Sequence, residues 1–269
     1  MRILASILAV LLWGGAEAWA GTIQVGGTGS ALKALGLLGE AFSKERPDVT
    51  IVVLPSLGSK GGLRALQAGR IDLAVIVADG GDPPPPLSVR PWARSPFAIM
   101  VGEATPISTL ALDDLIRIYS GQRPRWPDGT LIRPVLRPPV DSAYAMLANF
   151  GPGMADALDI AQGLWGATAA ITDQDSADAL ETVPGAIGTL ALGQAMAEQR
   201  KIHPVALDGV APSLANLATG AYSHGLTYRL VSRDPPGEET RAFLAYLASA
   251  AGRQRAAALG YLTGEGRGR

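Results

Sequence analysis

The sequence contains no cysteine, only two histidines and no run of basic residues, and each of these absences excludes a class of function. Without cysteine there is no disulfide framework, no thiolate metal site, no cysteine nucleophile and no lipidated N-terminal cysteine. His203 and His224 do not form a metal-binding spacing, so we expect no zinc enzyme, no other metal site and no cofactor. Nucleic-acid binding is also disfavoured, because it needs Lys and Arg gathered on one face and the net charge here is only −1.

What is present is a chain with ample material for a core. The 269 residues are 48% hydrophobic and 17% charged, which excludes intrinsic disorder and is enough for one large domain or two medium ones.

Residues 1–20 are typical of a secretory signal peptide. Arg2 supplies a positive start, residues 3–13 form an apolar run, and Ala18-Trp19-Ala20 places small residues before a cleavage site. The run is too short to cross about 30 Å of hydrocarbon, although an uncleaved N-terminal anchor is the alternative. We therefore predict an exported mature chain that begins at Gly21, located in the periplasm of a Gram-negative cell.

Strand and helix patterns alternate along the mature chain. Residues 22–25, 49–54 and 71–77 predict strands, the last two buried on both faces, with a helix after each of the first two. The first of these helices places Leu32, Leu35, Leu38 and Phe42 on one face. This repeat implies a parallel sheet. Further strands are predicted at 96–101, 186–190, 205–207 and 226–231, and further helices at 112–119, from 141, and from 238 onwards. So many elements fit two α/β lobes better than one short sheet.

Two Gly-rich turns follow neighbouring strands. Gly27-Thr28-Gly29-Ser30 lacks the third glycine of a Rossmann fingerprint, and Gly58-Ser59-Lys60 lacks the first glycine of a P-loop. Either turn alone could be structural. Because successive parallel strands bring both turns to one sheet edge, where helix N-termini favour anions, together they predict an anion cradle.

Other polar candidates each have a structural alternative. Arg137 lies in an extended segment before a predicted helix start at Asp141 and Ser142, and it could clamp an anion or be a solvated surface arginine. Asp141 is typical of an N-cap, and residues 172–176 are interpreted as another polar helix entry. The pair Ser223-His224 suggests a hydrolase, but the chain has no GxSxG motif.

The order of these motifs resembles the phosphate-binding component of bacterial phosphate ABC importers, within the type II periplasmic binding proteins. The resemblance covers nearly all of the mature chain. Besides the two turns and Arg137, it is carried by residues 69–74, 112–121, 126, 183–188, 207–213, 220–222 and 243–261.

The resemblance implies an α/β fold of two lobes, with two mixed sheets flanked by helices and joined by a two-segment hinge. Lobe 1 would comprise residues 21–93 plus 222–269, and lobe 2 residues 94–221. Carried over position by position, ligand-binding groups fall on Gly29, Ser30 and Ser59, and the anion-clamping arginine on Arg137. Lys60 adds a cation near the cleft. Together with Asp141 and Ser142 at the helix start, these residues form the candidate ligand-binding set.

Several positions depart from the family pattern. Val77 stands where the phosphate binders have an Asp, unless Asp79 matches after a shift of two positions. Pro139, Asp141 and Ala143 replace an Asp, a Ser and a Thr, so acceptors and donors for phosphate are lost.

We therefore expect capture without catalysis, of phosphate or a related small oxyanion for an ABC importer. The alternative is a different small anionic ligand that feeds another transporter or a sensor kinase. The resemblance implies a monomer that meets an inner-membrane permease.

Overall fold

The computed structural model describes residues 21–78, 83 and 85–264. The predicted signal peptide and Asp79 lie outside these residues. Within the described part, no helix is long and apolar enough to cross a membrane.

Strands and helices alternate along most of the described chain. The strands are β1 Gly21–Gly27, β2 Val49–Val53, β3 Leu73–Val77, β4 Leu87–Gly102, β5 Thr109–Leu110, β6 Arg133–Leu136, β7 Thr168–Ala169, β8 Ala186–Ala191, β9 Ile202–Pro204, β10 Ala206–Leu207, β11 Gly225–Arg233 and β12 Leu262–Thr263. The helices are α1 Gly29–Glu45, α2 Gly58–Gln67, α3 Leu112–Tyr119, α4 Ser142–Ala148, α5 Met154–Ala161, α6 Asp173–Thr182, α7 Leu192–Ala197, α8 Leu214–Thr219, α9 Glu238–Ala248 and α10 Ala250–Ala258.

The main sheet is mixed and its middle is the long strand β4. Strands β2, β1 and β3 are parallel, as the sequence predicted, and β11 runs antiparallel between β3 and β4. The first part of β4, through Pro96, pairs with β11, and residues 97–101 pair with β8. The two expected mixed sheets therefore share β4, in the order β2-β1-β3-β11-β4-β8-β6-β7.

Strand β2 is less buried than its sequence predicted. It lies at the edge of the sheet, and Thr50 and Val52 are exposed. The prediction of burial on both faces was wrong because a β-branched run also suits an edge strand that packs one face on a helix. Strand β3 is buried at every position, as predicted.

Helix α1 forms because its apolar residues recur on one face. Leu32, Leu35, Leu38 and Phe42 are all at most 5% exposed. Each such burial stabilises the fold by about 1.5–3 kcal/mol. The Phe42 ring also lies 5.3 Å from that of Phe243 on α9, which packs the C-terminal part of the chain onto the first helix.

Two glycines bring the Gly-rich turns together. Gly27 has φ +130°, and a Cβ there would lie 1.9 Å from the carbonyl oxygen of Val75. A Cβ on Gly62 would lie 2.7 Å from the Gly27 Cα, so α2 can approach β1 only because this position has no side chain. The sheet edge and both turns thus form one compact corner.

Candidate functional site

A cavity of about 450 Å³ opens where the two Gly-rich turns face the loops that precede α4 and α6. Ser30 lines it from the first turn, and Ser59 and Lys60 line it from the second. The opposite wall carries Arg137, and beside it are Asp141 and Ser142. The structure therefore brings six of the predicted site residues, from distant parts of the sequence, to one cavity.

Gly29 is the predicted site residue that does not line this cavity. Its carbonyl oxygen accepts a hydrogen bond from Gln174 Nε2 at 3.2 Å. A Cβ at this position would lie 2.4 Å from Gln174 Oε1 and 3.0 Å from Asp173 Oδ2. Gly29 therefore allows the start of α6 to approach the first turn closely.

The first turn holds an anion that belongs to the chain itself. The Ser30 backbone N–H, at the N-terminus of α1, donates to Asp173 Oδ2 at 2.9 Å. The Thr28 hydroxyl donates to the same oxygen at 3.3 Å. A carboxylate thus occupies the position where a helix N-terminus favours negative charge.

A chain of hydroxyl groups leads to that carboxylate. The Tyr228 hydroxyl donates to Ser30 Oγ at 3.1 Å, and Ser30 Oγ lies 3.1 Å from Thr28 Oγ1. Since Thr28 donates to Asp173, the Ser30 proton points to Thr28, and all donors in the chain point the same way. Burial raises the pKa of Tyr228 well above its usual range, so this phenol stays a neutral donor.

The second turn presents one hydroxyl and two cations to the cavity. Ser59 Oγ accepts the Val77 backbone N–H at 3.0 Å, which leaves the Ser59 proton for an acceptor inside the cavity. Lys60 and Arg64 are exposed at its wall, and their side chains have no hydrogen bond or ion pair to any residue that the structure describes. Arg64 and Thr28 were not among the predicted site residues.

Arg137 is buried, with only 9% of its side chain exposed, so the alternative of a solvated surface arginine is wrong. Its Nη2 donates to Asp141 Oδ2 at 2.7 Å and lies 3.8 Å from Asp173 Oδ1. Its Nε has no acceptor among the described residues. This Nε is itself buried, but the guanidinium lines the cavity and its positive charge can attract an anion there.

Asp141 serves Arg137 and its own helix. Its Oδ1 accepts the Ala143 backbone N–H at 2.8 Å, which confirms the predicted N-cap of α4, while Oδ2 pairs with Arg137. Both oxygens of this carboxylate therefore have donors inside the protein.

Asp173 is a further site residue that sequence reasoning missed. The interpretation of residues 172–176 as a polar helix entry is correct, because Thr172 and Asp175 form a capping box at the start of α6. The carboxylate between them nevertheless points to the first turn. Burial is the main cause that raises the pKa of Asp173, Arg137 lowers it, and Asp141 raises it again. An Asp in a first helical turn is common, so the sequence carried no specific signal for this role.

The hydrolase alternative finds no support in the geometry. The His224 ring stacks on Phe150 at 3.9 Å, and burial lowers the pKa of His224. Neither Ser223 nor His224 lines the cavity, and within the described chain the two share no hydrogen bond. The same residues contain no group of three or more His, Cys, Asp or Glu side chains placed to hold a metal ion.

Comparison with known proteins assigns the family. Residues 15–251 match the PBP superfamily domain. The chain belongs to this superfamily. It is 29% identical over 257 residues to the phosphate-binding protein PstS of Bacillus subtilis (strain 168), a match that covers 87% of this chain and 78% of the relative.

Solved structures at lower identity show the same fold. One is described as a phosphate ABC transporter substrate-binding protein with bound phosphate from Clostridium perfringens, with a TM-score of 0.73 at 17% identity. Another is an ABC-type phosphate transport receptor from Vibrio cholerae, with a TM-score of 0.61 at 18% identity. Each comparison covers 91% of this chain and 100% of the other. The PBP superfamily chain thus has the mixed α/β fold, with a large mixed sheet flanked by helices, that its motifs predicted.

Proposed function

We propose that this PBP superfamily protein captures phosphate or a related small oxyanion and delivers it to an ABC importer. The observation that carries the proposal is the convergence of donors on one cavity. The Ser30 N–H, the Thr28 and Ser59 hydroxyls and the buried Arg137 reach it from opposite walls. Relatives named for phosphate binding and phosphate transport support the assignment.

Capture needs no covalent chemistry in this proposal. Lobe 1, residues 21–93 plus 222–269, and lobe 2, residues 94–221, close over the anion and present a joined surface to an inner-membrane permease. The change of partner along β4, from β11 to β8 after Pro96, supports a hinge three residues beyond the boundary at 93–94. Residues 1–20 act as a signal peptide for export to the periplasm, and the mature protein works as a monomer.

A different small anion is the second candidate, and two residues that line the cavity favour it. Val77 and Ala143 line the cavity where the phosphate pattern has an Asp and a Thr. A site with fewer polar partners satisfies phosphate less completely, since each lost partner costs about 1–3 kcal/mol. A thermal-shift screen of mature protein against phosphate, sulfate, phosphonates and small carboxylates separates the candidates. A ligand present at a hundred times its Kd stabilises by about 2.7 kcal/mol.

Arg137→Ala tests the site directly. This change removes a charge-assisted contact of about 1.5–3 kcal/mol, so the anion that the screen identifies should bind roughly tenfold to a hundredfold more weakly by calorimetry. Arg125→Ala is the matched control, because Arg125 is an exposed arginine in the same proposed lobe that does not line the cavity, and its side chain bonds, among the described residues, to the Gly129 carbonyl. An unchanged Kd for Arg137→Ala would contradict the proposal that this cavity is the anion-binding site.

A further inference from the structure

The anion cradle of the first turn is filled by a side chain of the protein. Asp173 Oδ2 accepts hydrogen bonds from the Ser30 N–H and the Thr28 hydroxyl, and Asp173 Oδ1 lies 3.8 Å from Arg137 Nη2. These are the same donors that the proposed function assigns to an external anion. One set of donors therefore faces two candidate acceptors.

We propose that Asp173 determines the affinity of this site as an internal ligand, and that an external anion binds by replacing its carboxylate at Ser30 and Thr28. The inference rests on the proposed function for the identity of the external anion. The contact of Asp173 with Ser30 and Thr28 is independent of the proposed function, because it forms within the chain itself.

The Asp173 side chain can move away from Ser30 and Thr28, because other residues cap the start of helix α6. The Thr172 hydroxyl accepts the Asp175 N–H at 3.0 Å, and the Asp175 carboxylate accepts the Thr172 N–H at 2.8 Å. This capping box satisfies the start of α6 without Asp173. A change of the Asp173 rotamer therefore releases the cradle and leaves the helix intact.

The charges around Arg137 make it unfavourable for Asp173 and an external anion to occupy this part of the cavity together. Arg137 faces both Asp141, at 2.7 Å, and Asp173, at 3.8 Å, so this part of the cavity has more negative than positive charge whenever both carboxyl groups are ionised. A further anion placed beside both carboxylates meets like charge in a poorly hydrated place. Removal of the Asp173 charge should therefore strengthen anion binding.

The contact also joins the two proposed lobes. Thr28 and Ser30 belong to lobe 1, and Asp173 belongs to lobe 2. Next to it, Gln174 Nε2 donates to the Gly29 carbonyl oxygen at 3.2 Å. Asp173 thus holds the cleft together in the free protein, at the place where the bound anion would do so.

Hydrogen exchange of the Ser30 amide in the ligand-free protein tests the internal contact. We expect exchange about tenfold faster in Asp173→Ala than in the wild type, because that amide loses its acceptor. Asp178→Asn is the matched control, since it removes a carboxylate from the exposed side of the same helix and leaves Arg200 its bonds to Glu181 and Glu198. Equal exchange in wild type and Asp173→Ala would overturn the internal contact.

Calorimetry with inorganic phosphate tests the competition. Asp173→Asn keeps the shape of the side chain and removes its charge, so it should bind phosphate about tenfold more tightly than the wild type. Asp178→Asn should bind as the wild type does. Equal or weaker binding by Asp173→Asn would show that the carboxylate does not compete, and would overturn the proposal.

The two measurements separate this proposal from the proposed function. If no variant binds phosphate, sulfate or methylphosphonate while Ser30 exchange still depends on Asp173, the oxyanion function fails and the internal contact stands. If the wild type binds phosphate and Asp173→Asn gains no affinity, the function stands and the role of Asp173 fails.

Discussion

Asp173 and Asp175 are close neighbours on α6, and the structure shifts their pKa values in opposite directions. Hydrogen bonds from Thr172 lower the pKa of Asp175, whereas burial raises the pKa of Asp173. A carboxyl group with a lowered pKa contributes stability that is lost as pH falls. A carboxyl group with a raised pKa contributes stability that is present below its unfolded pKa and is lost as pH rises through the folded pKa.

Asp173→Asn should therefore gain stability over the wild type as pH rises. Urea unfolding from about pH 4 to about pH 7 should show a difference in unfolding free energy that grows with pH in favour of the variant. The charged neighbours Arg137, Asp141 and Asp175 remain in both proteins, so their own titration largely cancels in the difference. Asp178→Asn, tested in parallel, should show no such growth. A difference that stays constant with pH would contradict the raised pKa.

At the level of elements, the contact between α2 and β1 determines where the second turn lies. Gly62→Ala should destabilise the protein by about 1–3 kcal/mol, because its Cβ would lie 2.7 Å from the Gly27 Cα and backbone cannot yield easily. Gly36→Ala is the control within helix α1. Its Cβ would have only an ordinary contact, 3.6 Å from Val53, so alanine there should stabilise by about 0.5–1 kcal/mol. Chemical unfolding measures the free energy of unfolding of both variants. Equal values for Gly62→Ala and Gly36→Ala would show that α2 adjusts freely to the added methyl group.

The elements that the sequence predicted best are those whose pattern is local. The apolar face of α1 and the fully buried β3 follow from spacing alone, and so does the meeting of Ser30 and Ser59 at one sheet edge. The edge position of β2 and the sharing of β4 depend on pairings between distant segments, which periodicity does not encode. The role of Asp173 could not be predicted for the same reason, because its partners Thr28 and Ser30 lie far away in the sequence. The start of its helix is also fully explained without it.

At the scale of the whole molecule, two groups of contacts between the proposed lobes respond differently to a hinge motion. Buried Ser95, in the middle of β4, donates to the Gly260 carbonyl and accepts the Gly193 N–H, both at 2.9 Å. The close packing of Tyr261 against Gly193 adds to this connection. These contacts lie beside the strand that passes between the lobes, so a hinge motion leaves them in place. The Asp173 contact lies across the cleft, and opening would break it.

Small-angle scattering should therefore distinguish the states of the cleft. Without ligand, Asp173→Ala should have a larger radius of gyration than the wild type, because the bond that joins Ser30 to lobe 2 is gone. Saturating phosphate should reduce the radius in both proteins, and the reduction should be larger in Asp173→Ala, whose free cleft starts further open. Asp178→Asn should follow the wild type throughout. A radius that is the same in every protein, with and without phosphate, would contradict closure of the lobes, since the variant removes the contact that could have held the ligand-free wild type closed.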